Sequence, residues 1–254
     1  ELANRSKFTN CNFIVNDNFY TSELVFDAHV KLFGVNGISF TGCRFTYDIP
    51  SLQSDTCYGI DAFNSGFTVQ PKCSLDPFIG EICNSSNIEF ASSFTGFDFG
   101  IKAQNGDGFF KVSVLSTNFD SNDYGIYLSG VNNAKILKNR FIIGKDNNLV
   151  LNPVGLYIQN GSGYRIEENQ FENNFVSNSE KIGLNIKNSG TENNQVYKNQ
   201  FNNLTYGQIF DGRNCTFTRP YKGLVSLCNK NIDNIGTLKT YPTEFMFIPL
   251  NRIN

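Results

Sequence analysis

The sequence predicts an all-β protein wound as a parallel β-solenoid, and three observations support this prediction. Six-residue motifs with an aliphatic residue first, asparagine fourth and phenylalanine sixth start at residues 136, 166 and 196, a period of 30. A second motif, in which glycine opens a short run of alternating apolar and polar residues, lies between the copies of the first. The composition, with 36 Asn, 25 Phe and 22 Gly, favours strands and tight turns over helix interiors.

The first motif requires a bend in the chain. Its first and sixth residues, such as Ile136 and Phe141, cannot share one face of a helix or of a straight strand. Both reach one core only if the backbone bends between them, and we expect Asn139 to take the left-handed conformation at that bend. Stacked units would then place side-chain amides in a hydrogen-bonded ladder and fill the core with phenylalanine rings. Intact and degraded copies of the motif predict this ladder column: Cys11, Cys43, Ser92, Thr117, Asn139, Asn169, Asn199 and Cys215.

The second motif is typical of a strand with one buried face, because its apolar residues recur with a period of two. The residues expected to point inward are Ile60, Ile101, Ile126, Leu156 and Leu184. The residues expected to form an outward row on successive coils are Asp61, Lys102, Tyr127, Tyr157 and Asn185.

Strand, bend, strand and turn together form one coil, which returns to its start displaced by one strand spacing of about 4.8 Å. We predict one solenoid of roughly eight to ten coils over residues 1–217, with a loop excursion rich in cysteine and proline at 46–85. Residues 218–254 are expected to form the last coil, a C-terminal cap or the lead into a following module. A local disulfide in the excursion would suit an exported protein, although reduced thiols are the alternative and the connectivity is open.

Two stretches resemble known repeat families. The units "GIYL…NNAKILKNRF" and "GLYIQNGSGYRIEENQF" resemble the parallel β-helix repeat of the pectin-lyase-like superfamily, which implies a right-handed parallel β-helix. The segment "AHVKLFGVNGISFTGCRF" (28–45) resembles a segment of large surface proteins that Gram-negative bacteria export by type IX secretion. The superfamily includes polysaccharide lyases and hydrolases, adhesins and tail spikes, so the resemblance alone does not decide function.

Charge and composition argue against several classes of partner. The 21 basic and 23 acidic residues give a formal charge of −2 without basic runs, so no nucleic-acid partner is expected. No apolar stretch approaches the roughly 20 residues of a membrane span, so no membrane insertion is expected. The absence of a CxxC pair argues against zinc. No cofactor is predicted; calcium at Asp120 and Asp123 is possible, but turn chemistry explains both residues.

The candidate ligand site is a sugar-stacking platform formed by Tyr127 and Tyr157, with Lys102, Gln159 and Lys187 supplying hydrogen bonds. The alternative is a packing ladder of cross-strand pairs with no ligand. No catalytic residue is predicted, because the acidic residues are scattered singly and His29 has no obvious partner. His29 is expected to be a surface or structural residue.

These observations predict a non-catalytic extracellular or cell-surface solenoid that serves as an adhesin, passenger or spacer module of a larger protein. Its expected partners are polysaccharides or cell-surface glycans and other modules of the same chain. The alternatives are a carbohydrate-active enzyme, either a polysaccharide lyase or a hydrolase, and a polysaccharide-binding module without turnover.

Overall fold

Three long parallel sheets wind around one interior in the computed structural model. The structure describes residues 6–16, 26–49, 56–74, 83, 86–106, 109–144, 152–174, 179–190, 192–215 and 222–241. The regular elements of this part of the chain are all β-strands. It contains no helix with the length and apolar character that crossing a bilayer requires.

The sheets, named A, B and C here, contain eight strands each. Sheet A consists of β1 (Lys7–Thr9), β4 (Asn36–Thr41), β7 (Gly66–Gln70), β12 (Val112–Leu115), β15 (Lys135–Leu137), β18 (Arg165–Glu167), β21 (Asn194–Tyr197) and β24 (Leu224–Leu227). Sheet B consists of β2 (Asn12–Asn16), β5 (Arg44–Asp48), β10 (Ser93–Thr95), β13 (Asn118–Asn122), β16 (Arg140–Ile143), β19 (Gln170–Glu172), β22 (Gln200–Asn202) and β25 (Lys230–Ile232). Sheet C consists of β3 (Ala28–Phe33), β6 (Tyr58–Phe63), β11 (Phe99–Gln104), β14 (Tyr124–Ser129), β17 (Val154–Gln159), β20 (Ile182–Lys187), β23 (Tyr206–Asp211) and β26 (Gly236–Tyr241).

The chain visits sheets A, B and C in turn and then returns to sheet A one strand further along. All pairings within the three sheets are parallel, so each visit to the three sheets is one coil. The predicted right-handed parallel β-helix is therefore confirmed, and the eight coils that the structure describes fall within the predicted eight to ten.

The corner between sheets A and B carries the ladder of buried polar side chains. The backbone N–H of Asn139 donates to Asn169 Oδ1 at 2.9 Å, and that of Asn169 donates to Asn199 Oδ1 at 3.0 Å. Each amide nitrogen also donates to a carbonyl of the preceding coil, as Asn169 Nδ2 does to Ile136 O at 2.8 Å. At Cys43 a thiol takes the place of the amide and lies 3.4 Å from the Phe8 carbonyl. In the third coil Ser92 accepts the Cys43 N–H at 3.1 Å.

Two details of the predicted ladder are wrong. Cys215 does not follow Asn199; the next place belongs to Asn229, whose Oδ1 accepts the Asn199 N–H at 2.9 Å. Cys215 instead forms an isolated antiparallel bridge with Gly223 outside the three sheets. The left-handed residue is also not the asparagine but the exposed residue before it, as at Lys138 (φ 58°). The side chain of this preceding residue points to solvent, which leaves the asparagine amide directed into the corner.

A column of phenylalanine rings fills the interior beside sheet B. Neighbouring rings lie 4.4 to 5.2 Å apart between centroids and within 9° of parallel. The seven rings belong to Phe13, Phe45, Phe94, Phe119, Phe141, Phe171 and Phe201. Six of them, all except Phe13, are at most 1% exposed, so the predicted core column is confirmed. In the eighth coil Asn231 pairs with Phe201 and takes the next place in the column.

Glycine in sheet C makes room for these rings. A Cβ atom on Gly125 would lie 2.7 Å from Cδ1 of Phe141 and 2.6 Å from the Gly155 carbonyl oxygen. A Cβ atom on Gly183 would meet Phe201 and the Gly207 carbonyl in the same way, each at 2.6 Å. The glycine of the second motif is therefore required by the phenylalanine of the first.

The cysteine-rich region interrupts the third coil between β7 and β10. Cys73 and Cys83 form a disulfide there, and β8 (Lys72–Cys73) pairs with β9 (Ile88–Phe90) in a short antiparallel hairpin. The other cysteines, which include Cys57, form no disulfide. Much of the remaining segment 46–85 lies outside the described residues, but β6 and β7 within it are regular parts of the second and third coils. The eighth coil ends at Tyr241, and residues 242–254 also lie outside the described part.

Candidate functional site

The outer face of sheet C carries the predicted row of side chains in register. Lys102 pairs with Tyr127, Tyr127 with Tyr157, and Tyr157 with Asn185. Asp61 precedes Lys102 in the same row. These side chains are half-buried, whereas the alternate residues of the same strands, such as Ile126, are fully buried.

Tyr127 and Tyr157 stack on each other, with ring centroids 5.0 Å apart and ring planes within 3° of parallel. Gln159 Nε2 donates to the Tyr127 hydroxyl at 2.6 Å and to Ser129 Oγ at 3.1 Å. The Tyr157 hydroxyl donates to Gln159 Oε1 at 3.4 Å. Because the two rings are in contact, no ligand fits between them, and only the outer faces and edges of the pair remain available.

Lys102 lies on the other side of the tyrosine pair from Lys187, three coils away. Its ammonium group is 4.8 Å from the ring centroid of Tyr58 and 5.7 Å from that of Phe99, which is cation–π geometry. It also donates to the Tyr58 hydroxyl at 3.3 Å. Lys102 and Lys187 are therefore separate features and do not flank one ligand position.

A second column of large side chains runs beside the tyrosine row. The column starts every strand of sheet C from the second to the seventh and contains Tyr58, Phe99, Tyr124, Val154, Ile182 and Tyr206. Val154, Ile182 and Ile209 are at most 5% exposed and form an apolar cluster on this outer face. Tyr124, Tyr157 and Tyr206 pack against the cluster. We call this column, together with the adjacent Tyr127 and Tyr157, the aromatic strip. Its apolar surface lies on the outside of the solenoid, where a solvated sheet face normally carries polar residues.

A half-open cleft of about 260 Å³ lies where the row changes from tyrosine to asparagine. Tyr157 forms one wall, and Ile182 and Ile209 contribute to its apolar floor. The polar lining residues are Asn152, Glu180, Asn185, Lys187 and Asp211. Asparagine is shorter than tyrosine, so the row steps down after Tyr157 and the ring face remote from Tyr127 borders the cleft.

The polar groups of the cleft are unevenly satisfied. Lys187 Nζ and Asp211 Oδ2 form an ion pair at 3.2 Å. Glu180 is exposed and forms no ion pair with a described residue. The side-chain oxygen of Asn185 is buried and has no hydrogen-bond partner among the described atoms. Burial, followed by the neighbouring Tyr127, raises the pKa of Tyr157, so its hydroxyl stays protonated at neutral pH.

The other chemistry-bearing residues lie elsewhere. His29 Nε2 donates to the Thr46 carbonyl at 3.0 Å, and its ring contacts Phe26 and Phe97, so these contacts join the first three coils. Asp120 accepts a hydrogen bond from Ser121 Oγ at 2.9 Å. Within the described part of the chain no three His, Cys, Asp or Glu residues converge in a way that could hold a metal ion.

Two solved β-helix structures are similar to this chain. One is PfbA, a surface adhesin of Streptococcus pneumoniae, with 12% identity and a TM-score of 0.48 over 84% of this chain and 59% of the adhesin. The other is tailspike protein 2 of the Escherichia coli O157:H7 bacteriophage CAB120, with 12% identity and a TM-score of 0.43 over 86% of this chain and 37% of the tailspike. The chain thus spans less than two thirds of either protein. No family model matches the chain, and no curated protein matches it.

The sequence predicts the residue at one wall of the cleft, but it does not predict the apolar residues beneath the cleft or the acidic residues at its edge. Tyr157 and Lys187 were among the predicted site residues, whereas Glu180, Ile209 and Asp211 were not. One signal was present in the sequence: Asp211 occupies the place that follows Lys187 on the next coil, and its charge is opposite. The apolar side chain at position 209, in a place occupied by polar residues on other coils, was the second signal.

Proposed function

We propose that this chain is a non-catalytic module of a larger extracellular or cell-surface protein, and that it acts as an adhesin or passenger that binds glycans along the outer face of sheet C. The observation that carries this proposal is the aromatic strip on that face, which ends in the cleft beside Tyr157. Aromatic faces with a few polar groups around them are typical of sites that bind ligands with one apolar and one hydrogen-bonding side.

The architecture supports a second part of this role, that of a rigid spacer. Eight coils at a spacing of about 4.8 Å give a rod about 34 Å long. Neighbouring coils are fixed to each other by backbone pairing and by the ladder, and the first seven coils also by stacked rings, so the rod presents its outer rows at fixed distances. The resemblance of residues 28–45 to type IX-exported surface proteins supports export by that route. Cell-surface immunolabelling with and without type IX secretion would test it.

A carbohydrate-active enzyme is the second candidate function, and one observation favours it. Glu180 and Asp211 line the same cleft, and glycoside hydrolases use two carboxyl groups on either side of the scissile bond. Asp211 forms an ion pair with Lys187 at 3.2 Å, so this carboxylate is already engaged by a cation. A hydrolytic role would therefore assign the general acid to Glu180.

The test is binding of immobilised polysaccharides by the unmodified chain and by the variants Tyr127→Ala and Tyr157→Ala. We expect at least a tenfold loss of affinity in Tyr157→Ala, because the ring borders the cleft, and a smaller loss in Tyr127→Ala. Tyr197→Ala is the matched control, since Tyr197 is a half-buried tyrosine on the outer face of sheet A. Equal binding by all four proteins would contradict the proposed site. Release of new chain ends from a bound polysaccharide, abolished by Glu180→Gln, would establish the enzyme instead.

A further inference from the structure

The cleft beside Tyr157 carries information on the kind of sugar that it would accept. This inference rests on the proposed glycan-binding function and narrows its ligand class. The volume of about 260 Å³ lies just below the range of about 300–1,000 Å³ that is typical of pockets for drug-sized ligands. The cleft is therefore suited to one small ring of a longer chain rather than to a large ligand.

The walls of the cleft favour a ligand with an apolar face. The open face of the Tyr157 ring stands at one side, and Ile182 and Ile209, each 5% exposed, form part of the floor. A pyranose ring presents C–H groups on one face and hydroxyl groups around its edge. It can therefore rest on the aromatic and aliphatic surface while its hydroxyl groups reach the polar lining.

The unsatisfied polar group in the cleft is an acceptor. The Asn185 side chain lines the cleft, and its oxygen is closed off from solvent without a partner, which is costly. Rotation of the amide about its Cβ–Cγ bond would turn this oxygen towards a donor in the cleft. Glu180 adds carboxylate acceptors at the rim, and Asp211 is already engaged by Lys187. A ligand that donates hydrogen bonds, through O–H or N–H groups, satisfies this lining.

The charges of the cleft oppose an anionic ligand. Its lining contains two carboxylates and one ammonium group, and the ammonium group is paired with one of the carboxylates at 3.2 Å. Among the described lining residues, the unpaired charge is therefore the negative one on Glu180. A sugar carboxylate placed here would meet this like charge, and no free cation among the described lining residues offsets it, which disfavours uronic acids.

We infer that the cleft is a subsite for a non-anionic hexopyranose, that is, a neutral or N-acetylated sugar unit, which stacks on Tyr157 and donates a hydrogen bond to Asn185 Oδ1 when the amide turns towards the cleft. Uronic-acid units are rejected by Glu180. The assignment uses residues from three successive coils, so the sugar unit would lie across β17, β20 and β23.

The experiment is a glycan array carrying neutral, N-acetylated and uronic-acid oligosaccharides of matched length, probed with the unmodified chain, Tyr157→Ala, Asn185→Leu and Glu180→Lys. We expect the Tyr157-dependent signals to come from neutral or N-acetylated glycans. Asn185→Leu should weaken them at least tenfold while leaving the melting temperature unchanged or raised, because the variant removes a buried acceptor without a partner. Glu180→Lys should shift the preference towards uronic acids.

The controls separate this inference from the proposed function. Asn202→Leu changes an exposed asparagine on the outer face of sheet B and should alter neither binding nor the melting temperature. Tyr157-dependent binding to uronic-acid glycans alone would overturn the inference and leave glycan binding intact. A lower melting temperature in Asn185→Leu would show that this amide is structural and overturn its assignment to the ligand. If no glycan binds in a Tyr157-dependent way, the proposed function fails, and the subsite with it.

Discussion

Asn169 uses the full hydrogen-bonding capacity of its side chain. Its Nδ2 donates to the Ile136 carbonyl at 2.8 Å and to Asn199 Oδ1 at 2.9 Å. Its Oδ1 accepts the backbone N–H of Asn139 at 2.9 Å and the Asn139 amide nitrogen at 3.0 Å. Two donors and two acceptor sites are all that an asparagine side chain has, and all four are used without exposure to water. The residue therefore links three consecutive coils.

We predict that Asn169→Leu destabilises the protein by about 2–4 kcal/mol, because it leaves a buried N–H of Asn139 and the carbonyl of Ile136 without partners. Chemical denaturation followed by circular dichroism measures this loss. Asn202→Leu, on the exposed face of the neighbouring coil, should change stability by no more than about 0.5 kcal/mol. Similar losses in the two variants would show that the ladder amides add nothing beyond an exposed asparagine.

His29 makes the stability depend on pH. Burial lowers the pKa of His29, and the hydrogen bond to the Thr46 carbonyl only partly opposes this effect. The folded state therefore binds fewer protons than the unfolded state below the ordinary histidine value of about 6.5. Stability should fall as the pH drops through about 6.5 towards the lowered value of the folded state.

We predict that denaturation curves show this loss between neutral pH and the lowered pKa, and that His29→Gln, which can retain a donor to Thr46, removes it. Because the chain has one histidine, a proton NMR titration assigns the pKa directly. An NMR value at or above about 6.5 would contradict the assignment.

The structural roles of residues could be predicted from the sequence better than their backbone conformations. Asn139, Asn169 and Asn199 were predictable because amide side chains in a fixed column have one common use. The left-handed residue at position 138 was not, because lysine has no turn preference and takes the conformation only because the corner imposes it. Cys215 was misplaced because "NCTF" imitates the motif, whereas Asn229 was hidden by the change from phenylalanine to Asn231 two places later.

At the scale of the elements, strands of sheet C and rings beside sheet B depend on each other. Each second-motif glycine lies against a first-motif phenylalanine and a carbonyl of the next coil, as Gly125 lies against Phe141 and Gly155. Both motifs were visible in the sequence, but their contact was not, because it requires the two sheets to face each other across the interior. The alternation was enough to predict which face of sheet C points inward.

We predict that Gly125→Ala costs about 1–3 kcal/mol through overpacking, because its Cβ would lie 2.7 Å from Phe141 Cδ1. Phe141→Leu should relieve part of this clash, so the double variant should be more stable than the sum of the single effects by at least about 0.5 kcal/mol. Gly106→Ala is the control, since the nearest atom to its Cβ lies at 3.8 Å. Strict additivity of the two substitutions in unfolding experiments would disprove the contact.

The candidate site is also a property of elements rather than of single residues. The outward row followed from the alternating pattern, but the burial of Val154, Ile182 and Ile209 on the outside of sheet C did not. From the sequence alone, an apolar residue at the first place of a strand could point either into the interior or onto the outer face. The cleft further depends on side chains from three coils and on Glu180, which precedes its strand by two residues.

At the scale of the whole molecule, the repeat places equivalent residues at equivalent positions in successive coils. Residues 136, 166 and 196 occupy the same place in successive coils, and so do 141, 171 and 201. The sequence was sufficient to predict this architecture, because the period recurs in two motifs at once. The sequence could not show where the interior changes from apolar to polar. In the last two coils Ser226 Oγ donates to Gln208 Oε1 at 2.9 Å, and this contact depends on how the two coils pack.

The deletion of one whole coil tests the central claim, that the chain is a solenoid of coils stacked in register, most directly. Removing residues 136–165 joins Lys135 to Ile166, so the ladder and the phenylalanine column continue unbroken. Removing only residues 137–151 deletes half a coil and breaks both. We predict that the larger deletion retains a β-sheet circular dichroism spectrum and cooperative unfolding, whereas the smaller one aggregates or unfolds. A folded half-coil deletion beside an unfolded whole-coil deletion would contradict the architecture.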